Sequence, residues 1–179
     1  MYRCIKLYIV VLTIIGLTIT CSRKSQQEVQ LHKYLNKELR LNIFPSVINQ
    51  QKIQSYNEFR NKYKYISVVF LKKGCKPCDS KIAEWQRRME IISDFKNYSV
   101  LFIFQGYNYN EISKLNAITS FAFIIDIHCR YLIYNRDIPE WILDNSVLID
   151  AKNRIKLIGD PFSTHEKTKE LYSIIKKID

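Results

Sequence analysis

The chain has 179 residues, of which 47% are hydrophobic and 13% aromatic, with only four glycines and four prolines. This composition supplies the core of one domain and excludes a fibrous or linker-rich protein. The formal charge is +11, but the basic residues are scattered and no zinc-finger or RNA-binding motif accompanies them. The charge therefore favours a solvated basic surface, attracted to anionic lipid, over a nucleic-acid-binding protein.

The N-terminus reads MYRCIKLYIVVLTIIGLTITCSRKS. Arg3 and Lys6 precede an uncharged apolar stretch over residues 7–20, which is short for a membrane span but typical of a signal peptide. The stretch ends at Cys21, and the polar segment SRKSQQE follows. This arrangement resembles a bacterial lipoprotein signal, in which the cysteine is acylated and becomes the mature N-terminus.

The resemblance implies a signal peptide over residues 1–20, lipid attachment at Cys21, a tether over residues 21–40 and a domain over residues 41–179. An uncleaved N-terminal anchor is the alternative interpretation of the same residues. Both interpretations place the domain on the outer side of the cytoplasmic membrane, in the cell envelope facing the periplasm. Disulfides persist in that compartment, so the cysteines of the domain have to be explained.

Two apolar runs of strand length predict buried strands, because both of their faces are apolar. They are YISVVFLK (residues 65–72) and YSVLFIFQ (residues 98–105). We expect further extended segments over residues 41–46, as a first strand or a lead-in, and over residues 121–126. The stretch between residues 127 and 145 has no clear period and is expected to be irregular.

Helix starts are indicated by the capping-box pairs Ser55 with Glu58 and Ser163 with Glu166. A short helix is expected over residues 110–118. A helix after residue 77 is predicted from an apolar face formed by Ile82, Trp85, Met89 and Ile92. The last helix is predicted from an apolar stripe formed by Leu171, Ile174, Ile175 and Ile178.

The segments SVLID and RIKLIG are separated only by AKN, which predicts an antiparallel hairpin. Asn153 is the residue of that turn that best tolerates a left-handed conformation. Strands and helices alternate before the hairpin, so we expect a partly parallel sheet covered by helices on both faces.

The segment LKKGCKPCDS places two cysteines between a buried strand and an amphipathic helix. Two intervening residues at a helix start bring the sulfurs within bonding reach, and the helix N-terminus favours the thiolate of the first. Thiol–disulfide exchange needs such a thiolate and a second thiol that attacks the mixed disulfide. Cys75 is therefore the candidate nucleophile and Cys78 the resolving thiol.

Three neighbouring residues are expected to support this pair. Lys73 and Lys76 add positive potential, which lowers the pKa of the first thiol. Pro77 stiffens the loop and suits the first turn of a helix, where its missing N–H costs nothing.

The same two cysteines also allow a structural disulfide or half of a metal site. His128 and Cys129 are the residues that would complete a four-ligand set with Cys75 and Cys78. Neighbouring residues of an extended segment point to opposite faces, which makes such a site awkward. The plain alternatives are a surface histidine at position 128 and a small buried apolar residue at position 129.

The strand YISVVFLKKG, the motif CKPC, the helix that begins there and the segment SVLIDAKNRIKLIG together resemble the membrane-anchored TlpA/redoxin-like branch of thioredoxin-fold proteins, over residues 50–179. The resemblance implies an α/β thioredoxin fold: a central mixed sheet, helices on both faces, and a C-terminal antiparallel hairpin plus helix. It also implies exchange of electrons between Cys75–Cys78 and protein thiols or disulfides, with an upstream thiol redox partner. No cofactor beyond the redox-active disulfide, no metal and no nucleic acid is expected.

The sequence departs from this family at three positions. Gly74 stands where the family has a tryptophan, Val69 where many thioredoxins have a buried acid, and Asn145 at about the place of a cis-proline. These departures leave open a non-catalytic binding module with a structural disulfide, or a metal-handling protein that uses the same cysteines. A peroxidase is less expected, because GCKPC lacks the Thr/Pro-rich setting of that chemistry.

Overall fold

The computed structural model describes residues 26–74, 78–91, 95–114 and 121–176. The expected signal peptide and the lipidation residue Cys21 lie outside these ranges, as do Cys75, Lys76 and Pro77. No helix within the described ranges combines the length and the apolar character that crossing a membrane requires.

The elements in chain order are α1 (Gln26–Tyr34), β1 (Ser46–Asn49), β2 (Lys52–Ser55), α2 (Tyr56–Arg60), β3 (Tyr65–Lys72), α3 (Cys78–Ile91), β4 (Tyr98–Gln105), α4 (Tyr109–Ile112), β5 (Ala122–Asp126), α5 (Arg130–Tyr134), α6 (Glu140–Leu143), β6 (Val147–Ile149), β7 (Ile155–Ile158) and α7 (His165–Lys176). The predictions for β3 and β4 are confirmed to the residue.

Seven strands of the described residues form one sheet in the order β2-β1-β5-β4-β3-β6-β7. The three strands β3, β4 and β5 are parallel, whereas β6 and β7 on one side and β1 and β2 on the other pair antiparallel. The predicted mixed sheet with a C-terminal hairpin is therefore confirmed. Parallel neighbours are joined by helical crossovers, and such a sheet is buried on both faces.

The alternation of side chains along β3 explains how both faces are covered. Val69 belongs to a cluster with α3 and α7, to which Trp85 and Leu171 contribute buried side chains. Phe70 points to the opposite face and stacks on Tyr131 of α5, with ring centroids 5.1 Å apart. Helices therefore pack on both faces, as the sequence predicts.

The compact unit that contains the sheet begins at Tyr34, earlier than the domain start expected at residue 41. The N–H of Asn36 donates to the carbonyl of Ile155 at 2.7 Å, and the N–H of Ile155 donates to the carbonyl of Lys37 at 2.9 Å. Leu39 is fully buried. Residues assigned to the tether thus pair with β7, because burying Leu39 draws its neighbours against the sheet edge.

The N-terminal cap of α7 differs from the predicted one. The hydroxyl of Thr164, rather than that of Ser163, accepts the N–H of Lys167 at 3.2 Å. Ser163 instead donates its hydroxyl proton to the carbonyl of Asp160 at 2.8 Å. The capping box at Ser55 and Glu58 is confirmed at the start of α2.

Three segment predictions differ from the structure. The first strand of the sheet is β1, which begins where the expected segment 41–46 ends. The stretch expected to be irregular contains α5 and α6, each too short to show a helical period in the sequence. The helix expected over residues 110–118 is α4, which ends at Ile112, and residues 115–118 lie outside the described ranges.

The turn between β6 and β7 is confirmed, with Asn153 at φ 56°. Its side-chain carbonyl accepts the hydroxyl of Tyr56 at 2.9 Å and the Nε–H of Arg60 at 3.0 Å. The Asn153 side chain thereby fastens the turn to α2.

Candidate functional site

The carboxyl ends of the parallel strands form one edge of the sheet. Lys72 of β3 pairs with Gln105 of β4, and Gln105 pairs with Asp126 of β5. Ligand and catalytic sites of open α/β sheets lie outside this edge, where the loops that follow the strands meet. The segment with the predicted cysteine pair leaves β3 at this edge.

The connection from β3 to α3 is short. The N–H of Lys73 donates to the carbonyl of Gln105 at 2.9 Å, so the chain stays paired with β4 for one residue beyond β3. Gly74 then turns at φ 86°, a conformation that residues with a Cβ rarely adopt. The helix α3 begins at Cys78. The motif therefore lies between the end of a central strand and the start of a helix, as the sequence predicts.

Lys73 has a specific partner in the structure. Its Nζ lies 2.7 Å from Oε1 of Glu111, which also belongs to the capping box of α4 with Asn108. The bond from Lys73 is the main cause that holds the pKa of Glu111 below its usual value, and the N–H of Asn108 adds to it. The positive charge expected to act on Cys75 is therefore shared with a carboxylate.

The segment before β6 reaches the same edge, because β6 runs antiparallel to β3 with Val147 opposite Val68. The side-chain amide of Asn145 donates to the carbonyl of Trp141 at 2.6 Å. Ser146 is 4% exposed, and its hydroxyl has no hydrogen-bond partner among the described residues. Asn145 thus stands at about the place of the expected cis-proline, and the buried hydroxyl of Ser146 follows it.

Acidic groups lie near this edge but not at position 69. Val69 is fully buried in the apolar cluster below α3. Asp144 lies three residues before β6. Its pKa is raised, first by burial and second by the nearby carboxylate of Glu140. The charges of Lys72 and Lys81 oppose that rise.

Polar side chains at the carboxyl ends of β4 and β5 are functional candidates that the sequence motifs do not indicate. Asp126 is 2% exposed, and its carboxylate accepts the N–H of Arg130 at 2.9 Å and that of Tyr131 at 2.8 Å. Gln105 is 7% exposed, and its Nε2 lies 2.7 Å from Sγ of Cys129. The signal in the sequence was a polar residue at the carboxyl end of each apolar strand, YSVLFIFQ and FAFIID.

His128 and Cys129 have different surroundings. His128 is exposed, whereas Cys129 is half-buried with its sulfur against Gln105. Within the described ranges, which do not include Cys75, no group of three or more His, Cys, Asp or Glu could hold a metal ion.

Comparison with known proteins establishes the fold. No protein-family model matches the sequence, and no significant match is found among curated proteins. The chain is similar to the solved structure of a mitochondrial 2-cys peroxiredoxin from Plasmodium falciparum, with a TM-score of 0.56, 17% identity and coverage of 80% of this chain and 94% of that one. A thiol-disulfide oxidoreductase from Bacteroides fragilis gives a TM-score of 0.54 at 17% identity, over 72% of this chain and 95% of that one.

A thioredoxin from Wuchereria bancrofti gives a TM-score of 0.53 at 11% identity, over 76% of this chain and 98% of that one. These proteins are similar to the chain in architecture, but their sequences are only distantly similar to it. The chain therefore has a thioredoxin-like α/β fold, as the motifs around Cys75 and Cys78 imply.

Proposed function

We propose that the chain is a thiol–disulfide oxidoreductase that exchanges electrons between its Cys75–Cys78 pair and protein thiols or disulfides. The observation that carries the proposal is the position of the pair, between the carboxyl end of the parallel strand β3 and the start of α3 at Cys78. The thioredoxin-like α/β fold supports it, because open α/β sheets bind their ligands outside this edge.

The reaction needs no group beyond the two thiols. The thiolate of Cys75 attacks one sulfur of a substrate disulfide, the other substrate sulfur leaves as a thiolate, and a mixed disulfide forms. The thiolate of Cys78 then attacks Cys75, which releases the reduced substrate and leaves the Cys75–Cys78 disulfide. An upstream thiol partner reduces that disulfide by the same two steps.

We place this activity in the cell envelope, with the domain anchored to a membrane through lipid at Cys21. The N-terminal sequence supports that placement, since the apolar stretch over residues 7–20 is followed directly by Cys21 and a polar segment. Globomycin, which blocks processing of lipoprotein signals, tests it: accumulation of the unprocessed chain is expected, and unchanged processing contradicts lipid attachment.

Trapping of mixed disulfides tests the activity. In a Cys78→Ser variant expressed in the cell envelope, the disulfide between Cys75 and a substrate cannot resolve, so disulfide-linked adducts should accumulate on a non-reducing gel. The matched Cys75→Ser variant keeps one thiol of the same pair and should give few adducts. Equal adduct formation by the two variants, or none by either, contradicts the assigned roles.

A non-catalytic module with a closed disulfide is the second candidate. Asn145, at about the place of the expected cis-proline, favours it, because its side-chain amide donates to the carbonyl of Trp141 instead of leaving the backbone that a cis-proline would provide. The two candidates differ in the reduction potential of Cys75–Cys78. A disulfide that resists strong dithiol reductants in the folded protein supports the module, whereas one that titrates near the potentials of thioredoxins supports the enzyme.

A further inference from the structure

A cavity of about 300 Å³ lies where the pairing of β1 with β5 stops. The two strands pair at Ile48 with Phe123 and at Asn49 with Ala122, and their ladder ends there. Residues 44–46 and 48 line the cavity on one side, and residues 123–128 and 130 line it on the other. We call this opening the β1–β5 cleft. Its volume is at the lower end of the range of ligand pockets.

The free edge of β5 faces the cleft. The N–H and carbonyl of successive strand residues point to opposite sides of the strand. The N–H of Gly106 donates to the carbonyl of Asp126 at 3.2 Å, so the backbone of Asp126 faces β4 and that of Ile125 faces the cleft. Among the described residues, no strand pairs with Ile125 on that side. The cleft therefore offers one N–H and one carbonyl that can pair with an added strand.

Both borders of the cleft are held by hydrogen bonds of their own. Pro45 has no N–H with which to continue the β1–β5 ladder, and its carbonyl accepts the N–H of Tyr56 at 3.3 Å. The chain before β1 is thereby bonded to the start of α2 rather than to β5. On the other border, the carboxylate of Asp126 accepts N–H groups at the start of α5. The opening between the two strands is thus built into the fold.

The lining of the cleft is apolar inside and basic at its exposed rim. Phe44 and Phe123 are buried, whereas Ile127 is 64% exposed. His128 and Arg130 are also exposed, and no carboxylate of the described residues forms an ion pair with Arg130. The one acidic side chain of the lining, Asp126, is buried and bound to two N–H groups.

We propose that the β1–β5 cleft binds an extended acidic segment of a partner protein, which adds a strand along the free edge of β5. The backbone of the segment pairs with the N–H and carbonyl of Ile125, an apolar side chain enters the cleft, and an acidic side chain pairs with Arg130. Charge decides between occupants: the chain carries +11, so it repels a second copy of itself and attracts an acidic segment. This binding does not depend on the proposed exchange of electrons.

The test uses the full chain with Cys75→Ser and Cys78→Ser, so that disulfide exchange cannot contribute. The probe is a fluorescein-labelled hexapeptide of alternating valine and glutamate, and fluorescence polarisation measures its binding. One control peptide has lysine in place of glutamate, and another has every backbone nitrogen methylated. The matched protein variants are Arg130→Glu, at the cleft, and Lys169→Glu, at an exposed position of α7. Both variants change the net charge by the same amount.

We expect saturable binding of the valine–glutamate peptide and none of the lysine or the methylated peptide. Arg130→Glu should weaken binding about tenfold and Lys169→Glu less than about twofold, because only the first charge lies at the cleft. If Arg130→Glu lowers the melting temperature, Ile127→Ser, which shortens an exposed apolar side chain of the rim, should weaken binding in its place. Amide hydrogen exchange at Ile125 should slow when the peptide is bound.

Three results would overturn the proposal. The first is the absence of binding by the valine–glutamate peptide at about 1 mM, since a specific site should saturate below that concentration. The second is equal binding of the methylated peptide, which cannot add a strand. The third is an equal loss of binding in Arg130→Glu and Lys169→Glu, which would indicate attraction to the net charge of the chain rather than to the cleft.

Discussion

The segments that follow β3 and β5 leave the sheet at the same edge. An exposed ion pair holds the first, whereas a buried carboxylate holds the second. After β3, the side chain of Lys73 is 54% exposed and is joined to Glu111 by a surface ion pair. After β5, the buried carboxylate of Asp126 holds the first N–H groups of α5. The difference shows that the residue after β3 is held by an exposed ion pair, whereas the start of α5 is held by a buried carboxylate.

The largest predicted effect on the free energy of unfolding is at Asp126, the last residue of β5. Asp126→Asn removes a buried charged acceptor and points N–H donors at the N–H groups of Arg130 or Tyr131. We expect the free energy of unfolding to fall by about 3 kcal/mol, measured by urea titration. The control is Asp137→Asn, which breaks an exposed ion pair with Lys37 and should cost about 0.5 kcal/mol or less. Equal losses of stability in the two variants would contradict the difference between the buried and the exposed carboxylate.

A second prediction compares the turns that follow neighbouring strands. Gly106 has φ 77°, and an added Cβ would lie 3.3 Å from Cβ of Lys73. Gly74 has φ 86°, and among the described residues no atom lies within 4 Å of an added Cβ. Both Gly→Ala changes carry the backbone strain of a left-handed residue, about 1–2 kcal/mol, and only Gly106→Ala adds crowding. Thermal unfolding should therefore show a larger loss for Gly106→Ala, and the reverse order would refute the comparison.

A third prediction concerns pH. The pKa of Glu111 is lowered in the folded protein, chiefly by the bond from Lys73, so its ionised form stabilises the fold above the unfolded-state pKa. This contribution is lost as the pH falls through the lowered value. Glu111→Gln should thus have a slightly lower urea midpoint than the parent at pH 7, and the two midpoints should converge in acid. A difference that persists at low pH would contradict the ion pair as its cause.

The smallest predicted effect is on the pKa of Cys75, the proposed nucleophile. Lys73→Gln removes a positive charge and should raise the pKa of Cys75, whereas Glu111→Gln frees that charge and should lower it. Each shift is expected to be a few tenths of a unit, because exposed charges are screened. The pH dependence of alkylation by iodoacetamide measures both. Shifts of the same sign in the two variants would show that Lys73 does not act through its charge.

The sequence predicts the parts of the fold that depend on local pattern. The apolar runs of β3 and β4 and the left-handed turn at Asn153 are visible in it, because strand length and turn chemistry are properties of neighbouring residues. The sequence does not show that the ordered chain begins before residue 41, because nothing local indicates that Leu39 is buried or that Asn36 and Lys37 pair with Ile155. The cap of α7 is Thr164 rather than the predicted Ser163 for a related reason, since the hydroxyl of Ser163 donates to the carbonyl of Asp160.

The candidate site also has a part that the sequence predicts and a part that only the folded structure shows. Cys75 and Cys78 are recognisable as a candidate redox pair from their spacing alone. The contact of Gln105 with Cys129 joins residues 24 positions apart, and the contact of Lys73 with Glu111 joins residues 38 apart. Such contacts follow from strand register, which the sequence alone does not define, so they become visible only in the folded chain.

The central claim is that Cys75 and Cys78 form a redox-active pair, and a redox titration tests it most directly. A Cys129→Ser variant equilibrated in dithiothreitol buffers of graded potential, then quenched with acid and alkylated, reports by mass the fraction of the pair that is reduced. We predict a single two-electron transition in the folded protein, with both labels appearing together at Cys75 and Cys78. A pair that stays fully oxidised or fully reduced across the whole range would contradict the account.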